Sequence, residues 1–205
     1  MNFKGIKNII FDLGGVLLDI DPERTIRAFR DLGMADLIRP GGWSYDHQIF
    51  TLMEKGLLSE QQFREGIRSL LPGAATNLQI DLAWCAMLIR FPEEKIRMIR
   101  DLTATYRLYL FSNTNSIHIR YFQDMFSRQF GFPLRELFVK NYYSSEMHIR
   151  KPDQDAFLYV MKDAALTPAE TLFIDDLDAN TRAAEQIGIK TFRMQKGAEL
   201  TDLFS

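Results

Sequence analysis

The sequence predicts an α/β fold: a parallel sheet with helices on both faces, and a helical segment inserted after the first strand. Three observations lead there. Short apolar runs drive into polar residues at three places: Ile9-Ile10-Phe11 into Asp12, Leu108-Tyr109-Leu110-Phe111 into Ser112-Asn113, and Leu172-Phe173-Ile174 into Asp175-Asp176. From residue 107 onward strand-like and helix-like patterns alternate, the signature of parallel strands joined by crossover helices. Between about residues 21 and 100 the pattern is helical almost throughout.

The elements follow in order. Residues 8–11 form a buried strand that delivers Asp12 to two permissive glycines, Gly14 and Gly15. Asp21-Pro22 reads as an N-cap with Pro at the first helical position, opening a helix that carries Ile26 and Phe29 and closes at Gly33. After the break at Pro40-Gly41-Gly42, Ile49, Leu52 and Met53 mark a helix ending at Gly56. Ser59 with Gln62 makes a capping box for the next, which carries Phe63 and Ile67 and stops at Pro72-Gly73. Residues 80–89 suggest another helix, and Pro92-Glu93-Glu94 starts one more, with Ile96, Ile99 and Leu102 inside. A strand over 107–111 precedes a helix over 116–130. Residues 137–143 read as a strand, 152–164 as a helix with Pro152 in its first turn, 171–174 as a strand, 178–187 as a helix closed by Gly188, and 190–192 as a last strand.

Composition narrows the function classes. The chain has 205 residues, enough for one sizeable core with an appendage. Its 25 basic and 27 acidic residues nearly cancel, so no whole-chain field favours nucleic acid or an anionic membrane. Cys85 is the single cysteine, which excludes an intrachain disulfide and a cysteine metal cluster, and its apolar neighbours suggest an inert thiol. No run approaches transmembrane length, and Asp12 interrupts the N-terminal apolar stretch, so a cytoplasmic protein without a signal peptide is expected.

In parallel sheets, ligands bind beyond the carboxyl ends of the strands, where these polar residues would gather. Asp175-Asp176, taken alone, fits a loop leading into a helix as well as a cation site. If the first strand lies beside 171–174, Asp12 converges with the pair and an all-oxygen site suited to Mg²⁺ results. Ser112 and Asn113 offer donors for phosphate oxygens, or a cap for the following helix. Lys151, extended before Pro152 and beside a helix start, would suit an anion; it could equally be a solvated lysine.

In this order, at these strand ends, Asp12, Ser112-Asn113, Lys151-Pro152 and Asp175-Asp176 with Asn180 resemble the four motifs of the haloacid dehalogenase superfamily. The Asp12-Leu13-Gly14 of the first motif is similar to that of its bacterial sugar-1-phosphate phosphatases. The resemblance implies a Rossmann-like core (1–16 and 91–205) and an α-helical cap (17–90). It also implies Asp12 as nucleophile and Mg²⁺ ligand, Gly14 as a metal ligand through its carbonyl, Asp176 as metal ligand with Asp175 as direct or indirect partner, Ser112 and Asn113 around the phosphoryl group, Lys151 as the catalytic cation that neutralises Asp12 and the phosphoryl charge, and Asn180 as orienter of the last loop.

The expected function is Mg²⁺-dependent hydrolysis of a small phosphorylated metabolite, such as a hexose 1-phosphate, through an aspartyl phosphate. One departure qualifies it. Most phosphatases of the family carry a second aspartate two residues after the nucleophile as general acid, where this chain has Gly14. A positioned acid is worth ~10²–10⁴-fold, so good leaving groups are favoured, or another acid substitutes; Asp19, Asp21 and His148 are candidates. A metal-independent 2-haloacid dehalogenase is a second reading, against which the acidic pair argues. A catalytically weak phosphate-ligand-binding or partner-binding protein is a third. Arg39, Trp43, Tyr45 and His47 are candidate substrate contacts in the cap. The sequence leaves the oligomeric state open.

Overall fold

The computed structural model describes residues 4–34, 48–195 and 197–204; Arg39, Trp43, Tyr45 and His47 lie outside these. Strands β1 (Asn8–Phe11), β4 (Arg107–Ser112), β5 (Lys140–Tyr143), β6 (Thr171–Asp175) and β7 (Lys190–Arg193) form one sheet in the order β5-β4-β1-β6-β7. All its pairings are parallel. β1 is central, with Phe11 opposite Leu110 on one side and Ile174 on the other.

Because side chains alternate along a strand, each strand feeds two cores. Ile9, Phe11, Leu108, Leu110, Leu172 and Ile174 face one cluster with helices α5 (Glu93–Leu102) and α6 (Ser116–Phe130). Ile10, Tyr109, Phe111 and Phe173 face the other, closed by α8 (Gln154–Asp163) and α9 (Asp178–Glu185). Burial on both faces accounts for the near-continuous apolar character of the strands.

Helices α1 (Pro22–Asp31), α2 (Gln48–Glu54), α3 (Glu60–Ser69) and α4 (Asn77–Cys85) form the helical segment. Asp21 caps α1 by accepting from the Glu23 N–H at 3.1 Å. Ser59 and Gln62 close the expected capping box, and Thr76 with Gln79 forms a second. The segment's apolar residues join the first cluster: Trp84 stacks on Phe50 (centroids 4.9 Å apart) and on His118 of α6 (4.6 Å). Cys85 is buried, and desolvation pushes its thiol up to about 12, as an inert thiol requires.

Three expectations need correction. Residues 88–90 are not helical but form strand β3 (Leu88–Arg90), antiparallel to β2 (Asp19–Ile20). This short ribbon brackets the helical segment, and a two-residue partner is too brief to leave a periodic trace. Residues 134–137 form a 3₁₀ turn rather than the start of a strand, so β5 begins only at Lys140. The Lys151–Pro152 peptide is cis, and Pro152 lies in a turn closed by the Asp153 N–H donating to the Arg150 carbonyl; the helix starts at Gln154. A short 144–147 helix, α7 (Ser144–Met147), lies between β5 and that turn.

Candidate active site

Parallel register brings the motif residues together. The Asp12 N–H donates to the Ile174 carbonyl at 2.8 Å, which fixes the end of β1 beside the end of β6. From there the Asp12, Asp175 and Asp176 carboxylates converge, each offering an oxygen within 4.8 Å of the others.

Lys151 reaches this cluster from across the sheet. Its Nζ donates to Asp12 Oδ1 at 2.7 Å, Asp175 Oδ2 at 2.7 Å and the Phe111 carbonyl at 2.8 Å, which uses all three ammonium hydrogens. The side chain is 1% exposed, and the rings of Phe111 and Phe173 lie 5.1 and 5.3 Å from the charge. Although burial opposes the charge, Asp12 and Asp175 hold the ammonium pKa above its ordinary value. The value of Lys151 lies in this triple contact and not in proximity to a helix N-terminus. Asn113 braces the loop: its Oδ1 accepts from the Lys151 N–H at 2.9 Å and its Nδ2 donates to the Lys151 carbonyl at 2.8 Å. Ser112 is buried at the end of β4 and lines the same cavity.

The two adjacent acids divide their work. Asp175 is fully buried and accepts from Lys151, from Asn180 Nδ2 at 2.9 and 3.0 Å, and from the Leu177 N–H at 2.8 Å. Asp176 makes none of these contacts among the described residues. Burial, reinforced by Asp175, raises its pKa. Asp12 is pushed up to about 7, by burial above all, with Lys151 opposing and Asp175 adding to the rise. Mutually repelling, desolvated carboxylates of this kind favour a hard cation with oxygen ligands; these donors fit Mg²⁺. Gly15 makes the arrangement possible: at φ +77° it occupies the left-handed region, and a Cβ there would stand 2.5 Å from Asp176 Oδ2.

A cavity of about 350 Å³ opens over Asp12 and is lined also by Gly14, Ser112, Asn113, Lys151, Asp176 and Asn180, within the range of small-molecule sites. At position 14 a Cβ would meet Ile20 Cδ1 at 3.2 Å, so the place of the missing acid is bordered by hydrocarbon. The three substitute acids do not line this cavity. Asp19 pairs with Arg90 and Lys95, Asp21 caps α1, and a His148 ring nitrogen lies 3.0 Å from the Lys55 carbonyl. Unforeseen residues do line it, among them Glu54, Trp84, His118 and Arg150. His118 is neutral near pH 7, since burial lowers its pKa to about 4. Arg150, next to Lys151, and His118, in the first turn of the helix after Ser112-Asn113, carried a positional signal; Glu54 and Trp84 come from helices distant in sequence.

Comparison with known proteins agrees with this geometry. A family model described as haloacid dehalogenase-like hydrolase matches residues 6–188. A D-ribitol-5-phosphate phosphatase from Bacteroides thetaiotaomicron is 33% identical over 194 residues, covering 95% of this chain and 94% of the relative. A haloacid dehalogenase family enzyme from the same organism, solved in complex with magnesium and inorganic phosphate, superposes with a TM-score of 0.89 at 36% identity, over 98% of this chain and 100% of that one. A 2-haloacid dehalogenase from Pseudomonas syringae shares the fold, with a TM-score of 0.59 at 19% identity over 94% of this chain and 88% of that one.

Proposed function

The chain belongs to the haloacid dehalogenase-like hydrolases, and from that premise we propose that it is a Mg²⁺-dependent phosphatase acting on a small polyol or sugar phosphate. The observation that carries the reading is the Asp12 carboxylate, held by Lys151 within a cluster of three acids at the carboxyl ends of β1 and β6.

Asp12 attacks phosphorus, the ester P–O bond breaks, and the leaving oxygen takes a proton from water to depart as the alcohol. Water then hydrolyses the aspartyl phosphate to inorganic phosphate and frees Asp12. Lys151 keeps Asp12 oriented through the 2.7 Å contact and offsets phosphoryl charge. The Ser112 hydroxyl and the Asn113 backbone N–H hold phosphoryl oxygens, while Asn180 and Lys151 fix Asp175. Asp12, Asp176 and the Gly14 carbonyl would hold Mg²⁺, with Asp175 supporting them; the ion supplies charge neutralisation at the phosphoryl group. Residues 17–90 act as a cap: Leu18, Ile20, Trp84, Met87 and Leu88 give the cavity an apolar wall that limits water.

Gly14 favours an activated leaving group such as a hexose 1-phosphate. The Bacteroides relative, however, is named for a 5-phosphate, an ester of a primary alcohol. A panel of sugar 1-phosphates, sugar 6-phosphates and pentitol 5-phosphates decides between these classes: equal rates on 1- and 6-phosphates would sink the leaving-group argument. Hydrolysis of p-nitrophenyl phosphate that needs Mg²⁺ and disappears in Asp12→Asn is the expected result for the chemistry itself. Metal-independent chloride release from 2-chloropropionate would instead establish the dehalogenase reading. Intact phosphate-ligand binding without turnover would establish a binding protein.

A further inference from the structure

Glu54 ends α2, and Arg150 directly precedes Lys151. They meet as an ion pair, Arg150 Nη1 to Glu54 Oε2, at 3.0 Å, with side chains 30% and 19% exposed. Both line the cavity over Asp12. Neither has a task in the phosphoryl chemistry. Arg150 Nε is buried with no hydrogen-bond partner among the described residues, and a buried unpaired donor costs free energy unless something meets it. The Glu54 carboxyl is desolvated enough that its pKa rises despite Arg150. Most of the lining away from the acids is hydrocarbon or aromatic, as at Leu18, Ile20, Trp84, Met87, Leu88 and Phe122, with Thr114 and His118 as its other polar members.

The chain that carries Glu54 is anchored against residues 144–153 at several points. The Ser144 hydroxyl donates to the Glu54 carbonyl at 2.7 Å, a His148 ring nitrogen lies 3.0 Å from the Lys55 carbonyl, and Lys55 pairs with Asp153 at 3.4 Å. A Cβ on Gly56 would stand 2.0 Å from the Ser145 carbonyl oxygen, so the chain after α2 lies flat against α7. A polar pair carried on anchored backbone in a largely apolar lining is preorganised for recognition.

We propose that Glu54 and Arg150 form the leaving-group subsite, reading hydroxyl groups on the carbon chain of the substrate, with the carboxylate accepting from hydroxyl hydrogens and the guanidinium donating to hydroxyl oxygens. This rests on the phosphatase reading above. It makes the pair a determinant of specificity for polyhydroxylated phosphates over hydrocarbon phosphates. A site built to bond hydroxyls rejects analogues that lack them, because its polar groups are then left unpaired.

The test compares a pentitol 5-phosphate with n-pentyl phosphate, two primary alkyl esters that differ in hydroxyls, using the full chain with Mg²⁺. Wild-type protein is expected to prefer the pentitol ester in kcat/KM. In Glu54→Gln, and separately in Arg150→Met, that preference falls about 10- to 100-fold, the worth of a charge-assisted hydrogen bond, chiefly through KM. In the double variant Glu54→Leu/Arg150→Met the preference reverses toward n-pentyl phosphate; swapping both partners for apolar groups of similar size is gentler on folding than breaking the pair. Melting curves and turnover of n-pentyl phosphate show whether each variant keeps a working site. Variants that keep the wild-type preference, or lose both substrates equally through kcat, overturn the inference and leave the phosphatase reading standing. A wild-type protein that turns over p-nitrophenyl phosphate but neither alkyl ester overturns the subsite alone; one that hydrolyses none of the three overturns the phosphatase reading, and the subsite with it.

Discussion

Gly14 and Gly15 are neighbours of identical composition, yet their replacement by alanine should have opposite consequences. Gly15 sits at φ +77°, where an L-residue costs ~1–2 kcal/mol. Its added Cβ would also lie 2.5 Å from Asp176 Oδ2 and 2.9 Å from Asp176 Cγ, about 1 Å inside a comfortable contact. Asp176 must therefore swing away from Asp12 and Asp175. Gly14 is outside the left-handed region, and its Cβ would meet only the flexible tip of Ile20 at 3.2 Å. Gly15→Ala is expected to lose ~1–2 kcal/mol of stability, a fall in Tm of roughly 2–8 °C for a chain of this size. Its Mg²⁺ requirement should rise roughly 10- to 100-fold, as when groups that orient metal ligands are disturbed. Gly14→Ala should stay near wild type on both measures. Mg²⁺ titrations of p-nitrophenyl phosphate hydrolysis, with melting curves at several Mg²⁺ concentrations, provide both readouts. Unaltered Mg²⁺ dependence in Gly15→Ala, or a larger loss in Gly14→Ala, would refute the placement of Asp176 in the metal site.

Two further outcomes follow from the buried charges. Lys151→Met strips the cation from between Asp12 and Asp175, which should abolish turnover and cost ~3–5 kcal/mol at neutral pH. Denaturant titrations should show partial recovery as pH falls and the stranded acids take up protons; equal destabilisation at every pH would contradict this. In the metal-free wild type, burial pushes the Asp12 carboxyl up to about 7, well above the usual carboxylate range. The native state therefore holds more protons than the unfolded one across that window, and the contribution of Asp12 to stability is lost as pH rises through it. Mg²⁺ competes with that proton, so the Tm gain on adding Mg²⁺ should grow between about pH 5.5 and 8.5. A gain independent of pH would show that Asp12 is already ionised throughout.

Periodicity and local chemistry determined a great deal. The apolar strands, the caps at Asp21 and Ser59, and the polar residues after each strand are short-range features, set by propensity and by which faces must be buried. The resemblance carried by Asp12, Ser112-Asn113, Lys151 and Asp175-Asp176 supplied the chemistry. Tertiary structure decided what these residues do to one another. The pairing of β1 with β6 gathers the three acids, yet no local pattern states which strands are neighbours. Lys151 was expected beside a helix start, with Asp12 as its partner; a turn carries its ammonium instead, 2.7 Å from Asp12 and from Asp175 alike. The division between Asp175 and Asp176 is invisible in a repeated letter; hydrogen bonds from Asn180 and Leu177 create it. Glu54 and Arg150 are separated by nearly half the chain and meet only because α2 docks against the turn before Lys151. Sequence fixes what a residue can offer within a few neighbours, whereas desolvation and long-range contact set the charge, orientation and partner with which it offers it.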